Sequence, residues 1–140
     1  LPVFATSREE RDLLHQQPMI RTTLDLAAQA NVTFLGIGEL NDNAPLHEDG
    51  FISEAELKAL QKSGGVGEIV GWTYDLEGRI ISGMSNDRVA SAPIPDRDKS
   101  LVIAIAKGEK KLPGITGAIK RRIINGLITD ERTSEALLRG

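Results

Sequence analysis

The sequence predicts an α/β fold. Leu101-Val-Ile-Ala-Ile-Ala106 is a short apolar run closed by the polar glycine turn at Lys107-Gly-Glu-Lys-Lys111. A helical pattern follows, and then a second apolar run at Leu127-Ile-Thr129. Short apolar runs bounded by turn signals fit buried strands, and a helix between two of them makes a β-α-β unit with parallel strands. A third strand pattern at Val32–Gly38 and an extended β-rich stretch at Val66–Tyr74 complete the case.

The composition excludes several classes of function. The 140 residues are 40% hydrophobic and 26% charged, with a net charge of −3, as expected of one globular domain without a basic nucleic-acid footprint. There is no cysteine and there are only two histidines, His15 and His47, so disulfides and thiolate or zinc sites are not expected; no cofactor is implied. No apolar run approaches the roughly 20 residues needed to span a bilayer, and no secretory pattern is present, so a cytoplasmic protein without a membrane partner is expected. The first residues, Leu1-Pro-Val-Phe-Ala5, read as the tail of a strand with no initiator Met, which suggests a piece of a longer chain.

Taken in order, Ser7-Arg-Glu-Glu10 is a capping-box pattern opening a helix, and Pro18 ends it and starts the next. Ile20, Leu24 and Ala27 recur at helical spacing up to a stop near Asn31. The strand Val32–Gly38 ends in Gly36 and Gly38, which either let backbone approach a ligand or make a plain turn. Residues 39–50 read as a polar loop of a length often used for lids and binding. Within it His47, Glu48 and Asp49 can supply a general base and its orienting carboxylate, or simply be solvated turn residues. The Asp and Asn spacing does not fit a calcium loop.

Ser53-Glu-Ala-Glu56 is a second capping box, with Ile52 and Leu57 placed as its hydrophobic staple and Gly64-Gly65 as its stop. Val66–Tyr74 then reads as one strand, turned at Asp75–Gly78 and returning through Arg79–Ile81. Alternation puts Glu68 on a face with Val70, Trp72 and Tyr74. A carboxylate among apolar neighbours either reaches a ligand, accepting sugar hydroxyls, or snorkels from the sheet edge. Residues 82–100 read as a connection with an extended piece at Val89-Ala90, in which Arg88 pairs an anion or, more simply, a nearby carboxylate. In the helix after Lys111, Ile115, Ala118, Ile119 and Ile123 form the buried stripe; Asp130 or Thr129 caps the last helix.

Ligands of open α/β sheets bind beyond the carboxyl ends of the strands. Lys107, Gly108, Lys110 and Lys111 sit at one such end, and Thr129 and Asp130 at the other. A helix start with a lysine beside it suits a phosphate, so Lys111 is the first choice for an anion contact.

Several stretches strengthen that choice. They are Leu35-Gly-Ile-Gly38, Gly67-Glu68-Ile69 leading into Trp72-Thr-Tyr-Asp-x-x-Gly78, Arg88-Val89, Lys107-Gly-Glu-Lys-Lys111 and Ile124-Asn-Gly-Leu-Ile-Thr-Asp-Glu131. In this order they resemble the C-terminal effector-binding domain of the SorC-type sugar-responsive transcriptional regulators. The resemblance implies a three-layer α/β/α, Rossmann-like sheet similar to sugar-phosphate isomerases and glucosamine-phosphate deaminases. It also implies a phosphorylated sugar or related metabolite as ligand, with the lysine of the family's Gly-Gly-x-x-Lys motif on the phosphate. Lys111 matches that lysine, while Lys107 replaces the first glycine. Glu68 falls near a ligand-side carboxylate of the family. The ligand-binding set is therefore expected to be Lys111, Gly108, Glu68, Gly36, Gly38, Asp49 and Asp130, with no catalytic residue. The resemblance makes the chain the C-terminal part of one effector-binding domain. The rest of that domain and the helix-turn-helix that reads DNA are expected elsewhere in a homo-oligomeric protein. The competing reading is an isomerase or deaminase of related fold with His47 or Asp49 as base.

Overall fold

The computed structural model describes residues 2–140. Helices α1 (Arg8–Gln16) and α2 (Pro18–Ala28) lead into strand β1 (Val32–Leu35). After β2 (Gly38–Glu39) come α3 (Pro45–Glu48), α4 (Glu54–Lys62), β3 (Gly65–Ile69) and β4 (Trp72–Asp75). The chain closes with β5 (Leu101–Ile105), α5 (Leu112–Lys120), β6 (Gly126–Ile128) and α6 (Glu131–Arg139). Two three-stranded sheets result, with orders β1-β5-β6 and β2-β3-β4; the first is parallel and the second antiparallel. The predicted β-α-β unit is therefore present as β5-α5-β6, within a mixed α/β architecture.

Capping sets the helix starts. At α4 the full reciprocal box forms: Ser53 Oγ accepts from the Glu56 N–H, and the Glu56 carboxylate accepts from the Ser53 N–H. Ile52 and Leu57 are both buried in one cluster with Leu40, Ala44, Leu46 and Leu60, as a staple requires. At α1 only half of the box forms, because the Glu10 carboxylate accepts from Thr6, one residue before the cap. Pro18 occupies the first turn of α2, and Asp130 caps α6 by accepting from the Thr133 N–H.

Three expectations need correction. The strand expected over Val32–Gly38 is two strands in different sheets. The chain leaves the parallel sheet at Gly36, buries Ile37 in the main core, and joins β3 through Gly38. The loop expected over residues 39–50 contains a helical turn, α3, with Pro45 at its start and buried Ala44 and Leu46 anchoring it. The strand expected over Val66–Tyr74 is a hairpin that turns at Val70-Gly71, where both residues have positive φ, 50° and 89°. That geometry matches the right-handed twist of a two-residue hairpin. A β-branched residue in the left-handed region is strained; here the Gly71 N–H donates to Glu68 and Ser91 Oγ donates to the Val70 carbonyl, holding the turn. The expected turn at Asp75–Gly78 also forms, but its return is a single bridge, Tyr74 to Ile80. The alternation through Val70 therefore fails, and Glu68 pairs with Thr73 and Gly38 instead. Among the described residues, the N-terminal segment forms one isolated bridge, Phe4 to Val89, with backbone bonds from Ala5 N–H to the Arg88 carbonyl and from Ala90 N–H to the Val3 carbonyl. Arg88 takes the simpler of its two readings, an ion pair to Glu56 at 2.6 Å.

The main core joins Leu35, Val102 and Ala104 of the parallel sheet to Ile69 and Tyr74 of the hairpin, with Ile115 and Ala118 of α5 between. That helix lies close because Gly67, Gly114 and Gly117 lack side chains. A Cβ on Gly117 would lie 2.6 Å from the Asp75 carbonyl oxygen, and one on Gly67 2.9 Å from the Gly114 Cα. Backbone cannot yield as a flexible side chain can. We expect Gly117→Ala to cost about 1–3 kcal/mol by overpacking, read as a lower urea midpoint.

Candidate functional site

The crossing from β1 to β2 creates a cleft. Its floor is the Gly36–Gly38 backbone, held below by Ile37. The α3 turn brings Asp49 and the wall of Leu46 and Phe51, and the hairpin brings Glu68, Val70 and Gly71. Lys111 enters from the residue preceding α5. The cleft encloses about 430 Å³ and gathers Gly36, Gly38, Asp49, Glu68 and Lys111, residues spread over most of the sequence.

Its electrostatics centre on Lys111. The ammonium donates to the Ile37 carbonyl at 2.6 Å and stands 3.6 Å from Glu39 Oε2. That oxygen is buried and has no hydrogen-bond partner. Glu68 is mostly buried, and burial raises its carboxyl above the ordinary range; the Glu39 charge adds to this, while the Gly71 N–H and Lys111 oppose it. Below it, Tyr74 Oη donates to the Gly114 carbonyl at 2.8 Å, and burial pushes the phenol up as well. A Cβ on Gly38 would meet the Glu68 carboxylate and force that side chain to shift.

The raised Glu68 carboxyl carries a stability consequence. Its folded pKa lies above its unfolded value, so its contribution is complete below the unfolded pKa and is lost as pH rises through the folded one. Glutamine can still accept from the Gly71 N–H without a charge. We expect Glu68→Gln to gain stability relative to the parent as pH rises from about 4 upward, the unfolded carboxylate range. Urea midpoints at pH 4 and pH 8 check the sign.

A second cleft of about 570 Å³ lies beyond the carboxyl ends of β5 and β6, lined by Ile105, Ala106, Lys107, Lys111, Ile128, Thr129 and Asp130. Lys111 borders both clefts. Thr129 Oγ1 is buried there without a hydrogen-bond partner. The structure therefore does not bring Gly108 and Asp130 into the first cleft with the others. The Gly108 N–H donates to Thr133 Oγ1 at 2.9 Å, and the Asp130 carboxylate accepts from the Thr133 N–H at 2.8 Å; the Thr133 hydroxyl first and this N–H second lower the Asp130 pKa. Both residues shape the start of α6.

Sequence reasoning missed Glu39 and the Ile37 carbonyl, the two partners that position Lys111. Their signal was the Gly-x-Gly crossing itself, which puts the next residue in a new sheet. His47 is not among the residues lining the first cleft, and its Nδ1 is buried without a hydrogen-bond partner. Of the two readings open for His47, Glu48 and Asp49, the pairing of a histidine base with an orienting carboxylate is not formed. Among the described residues no group of acidic or histidine side chains could hold a metal ion, and no helix is long and apolar enough to cross a membrane.

The family described as "Putative sugar-binding domain" matches residues 1–139. The erythritol catabolism regulatory protein EryD of Brucella abortus is 33% identical over 138 residues, covering 99% of this chain and 44% of that protein. The deoxyribonucleoside regulator of Bacillus subtilis is 32% identical, with 99% and 44% covered. The chain thus spans less than half the length of these curated relatives. Among solved structures, the full-length sorbitol operon regulator SorC of Klebsiella pneumoniae superposes with a TM-score of 0.89 at 27% identity, over 99% of this chain and 45% of that one. The "Putative Sugar-Binding Domain of Transcriptional Repressor from Vibrio fischeri" gives 0.85 at 26%, over 99% of this chain and 56% of that one. On these matches and the fold they share, the chain belongs to the sugar-binding domain family of SorC-type transcriptional regulators.

Proposed function

We propose that this chain senses a phosphorylated sugar or a related metabolite for a transcriptional regulator, without chemical turnover. The observation that carries the reading is Lys111, held by the Ile37 carbonyl and the Glu39 carboxylate where the two clefts meet. The two sides differ in charge. The first cleft offers Asp49 and Glu68, which accept hydroxyl protons of a sugar. The second sets Lys107 and Lys111 against one carboxylate, Asp130, which is held by Thr133, and suits the acidic group. A ligand lying across Lys111 satisfies both ends, and the names of the relatives, an erythritol regulator and a sorbitol-operon regulator, support a polyhydroxylated one.

The ligand acts by population shift. It favours one arrangement of the regulator by its differential affinity, typically about 1–3 kcal/mol of coupling to the second site. In this reading the second site is a helix-turn-helix elsewhere in the polypeptide, and the protein works as a cytoplasmic homo-oligomer. Of the two candidate bases of the enzymatic alternative, His47 stands outside the first cleft and Asp49 lines it, so turnover is what separates the two readings.

The test is a calorimetric and thermal-shift series on the full gene product with sugar phosphates, the matching free sugars and inorganic phosphate. Saturable binding of a sugar phosphate, recovered chemically unchanged, with altered operator affinity is the expected result. Conversion of the sugar phosphate, abolished by Asp49→Asn, would replace the sensor with an enzyme.

A further inference from the structure

Two groups hold the Lys111 ammonium, and they differ in kind. The Ile37 carbonyl accepts from it at 2.6 Å, a hydrogen bond that fixes its direction. Glu39 Oε2 stands 3.6 Å away, beyond good hydrogen-bond distance, and acts by charge. That oxygen is buried and, among the described residues, has no hydrogen-bond donor. A buried carboxylate is costly unless something offsets its lost hydration, and here the offset is the Lys111 charge. The lysine side chain is 32% exposed and borders both clefts, whereas the glutamate is 16% exposed and lines neither. The cation therefore faces a ligand, and the carboxylate lies behind it.

An ammonium has three N–H groups and the Ile37 carbonyl uses one, so donors remain for an incoming anion. Taking that anion loosens the hold on Glu39, whose buried oxygen has no other partner among the described residues. The surroundings do not help a bare anion either. Asp49 and Glu68 line the first cleft, and in the second Lys107 is set against Asp130. Cations matched by carboxylates in this way give little net attraction to an isolated negative charge. Given that Lys111 meets the acidic group of a sugar phosphate, as proposed above, we infer that Glu39 is a specificity-determining residue. Its carboxylate competes with that acidic group for Lys111, so an anion alone does not hold the site and the hydroxyl contacts of a sugar are needed as well. Selectivity then comes from an opposing interaction as much as from an attractive one. Inorganic phosphate, which carries the acidic group without the hydroxyls, is kept from acting as the signal.

Glu39→Gln keeps the size of the side chain and removes its charge; Glu39→Ala removes both. Inorganic phosphate, a dianion at about pH 8, is titrated calorimetrically into the full gene product and into each variant. The titrations are repeated in the Lys111→Met background at the same ionic strength, and urea midpoints confirm that each protein folds. Both Glu39 variants should tighten phosphate roughly three- to tenfold, the range of a partly exposed charge pair, and Lys111→Met should abolish the gain. Phosphate binding that is unchanged or weaker in the variants, or absent from parent and variants alike, would make Glu39 a support for Lys111 and overturn its role as competitor. The sensing proposal would still stand if sugar phosphates bound the parent. A gain that persists without Lys111 would be plain repulsion by a nearby charge and would overturn that role equally. Failure of the parent to bind any sugar phosphate would remove the sensing proposal, and the role of Glu39 with it.

Discussion

Asn86→Ala should be among the most destabilising single changes in this chain. Asn86 is buried in the turn that follows the hairpin, and its amide is fully used. Oδ1 accepts from the Thr73 N–H and from Thr73 Oγ1, at 2.9 and 3.0 Å; Nδ2 donates to the Thr73 carbonyl at 3.0 Å and the Ile81 carbonyl at 2.7 Å. Thr73 is itself fully buried, on the strand that carries Tyr74 into the core. Alanine strands the Thr73 N–H and hydroxyl and the Ile81 carbonyl in the interior, and each abandoned group costs about 1–3 kcal/mol. The Thr73 carbonyl keeps a second partner in the Ile81 N–H, which limits the loss. The expected total is about 3–5 kcal/mol, a third or more of a typical domain's stability. It is measured as the shift of the urea midpoint at constant slope. Asn86→Asp should also destabilise, because it replaces two donors with a charge; a change under about 1 kcal/mol for both would mean that the pocket rearranges around the missing amide.

Asn86 also shows where sequence stops speaking. Asn86-Asp-Arg88 reads as an ordinary polar connection, and nothing local says that the Asn turns inward to substitute for a missing strand. What was legible was periodic or capped. The capping box at Ser53 formed with its staple, because local hydrogen bonds decide it, and the β-α-β unit stands at β5-α5-β6 on Ile115 and Ala118, although Ile119 of the expected stripe is exposed and Ile123 lies beyond the helix. The hairpin turn was misplaced because Asp75–Gly78 carries the stronger turn chemistry. Val70 is an improbable residue for positive φ, and the tertiary bonds from Ser91 and Glu68 impose it. The candidate site divided the same way. Gly36, Gly38, Asp49, Glu68 and Lys111 come together in one cleft, whereas the capping demands of α6 claim Gly108 and Asp130. The crossing between sheets that makes the cleft is a long-range event, so Glu39 looked like the first residue of a loop.

Lys111→Ala should have the largest effect on ligand binding. In the free protein the ammonium stands 3.6 Å from Glu39 and its charge also acts on Glu68, so its removal leaves both carboxyl groups without that cation and the Ile37 carbonyl without its partner. The cleft becomes more negative just where the proposed function places the acidic end of a sugar phosphate. A hydrogen bond to a charged group contributes about 1.5–3 kcal/mol, so the Kd for a sugar phosphate should rise roughly 10- to 150-fold. The matching free sugar should lose far less, since it depends on Asp49 and Glu68 rather than on the cation. That contrast separates a ligand contact from a general loosening of the cleft, which would weaken both ligands alike. Lys111→Met, which keeps the length of the side chain and removes the charge, should reproduce the alanine result for the phosphate. Were methionine to bind the sugar phosphate as well as lysine does, the ammonium would serve only to neutralise Glu39 and Glu68, and the acidic group would have to be held by Lys107 alone.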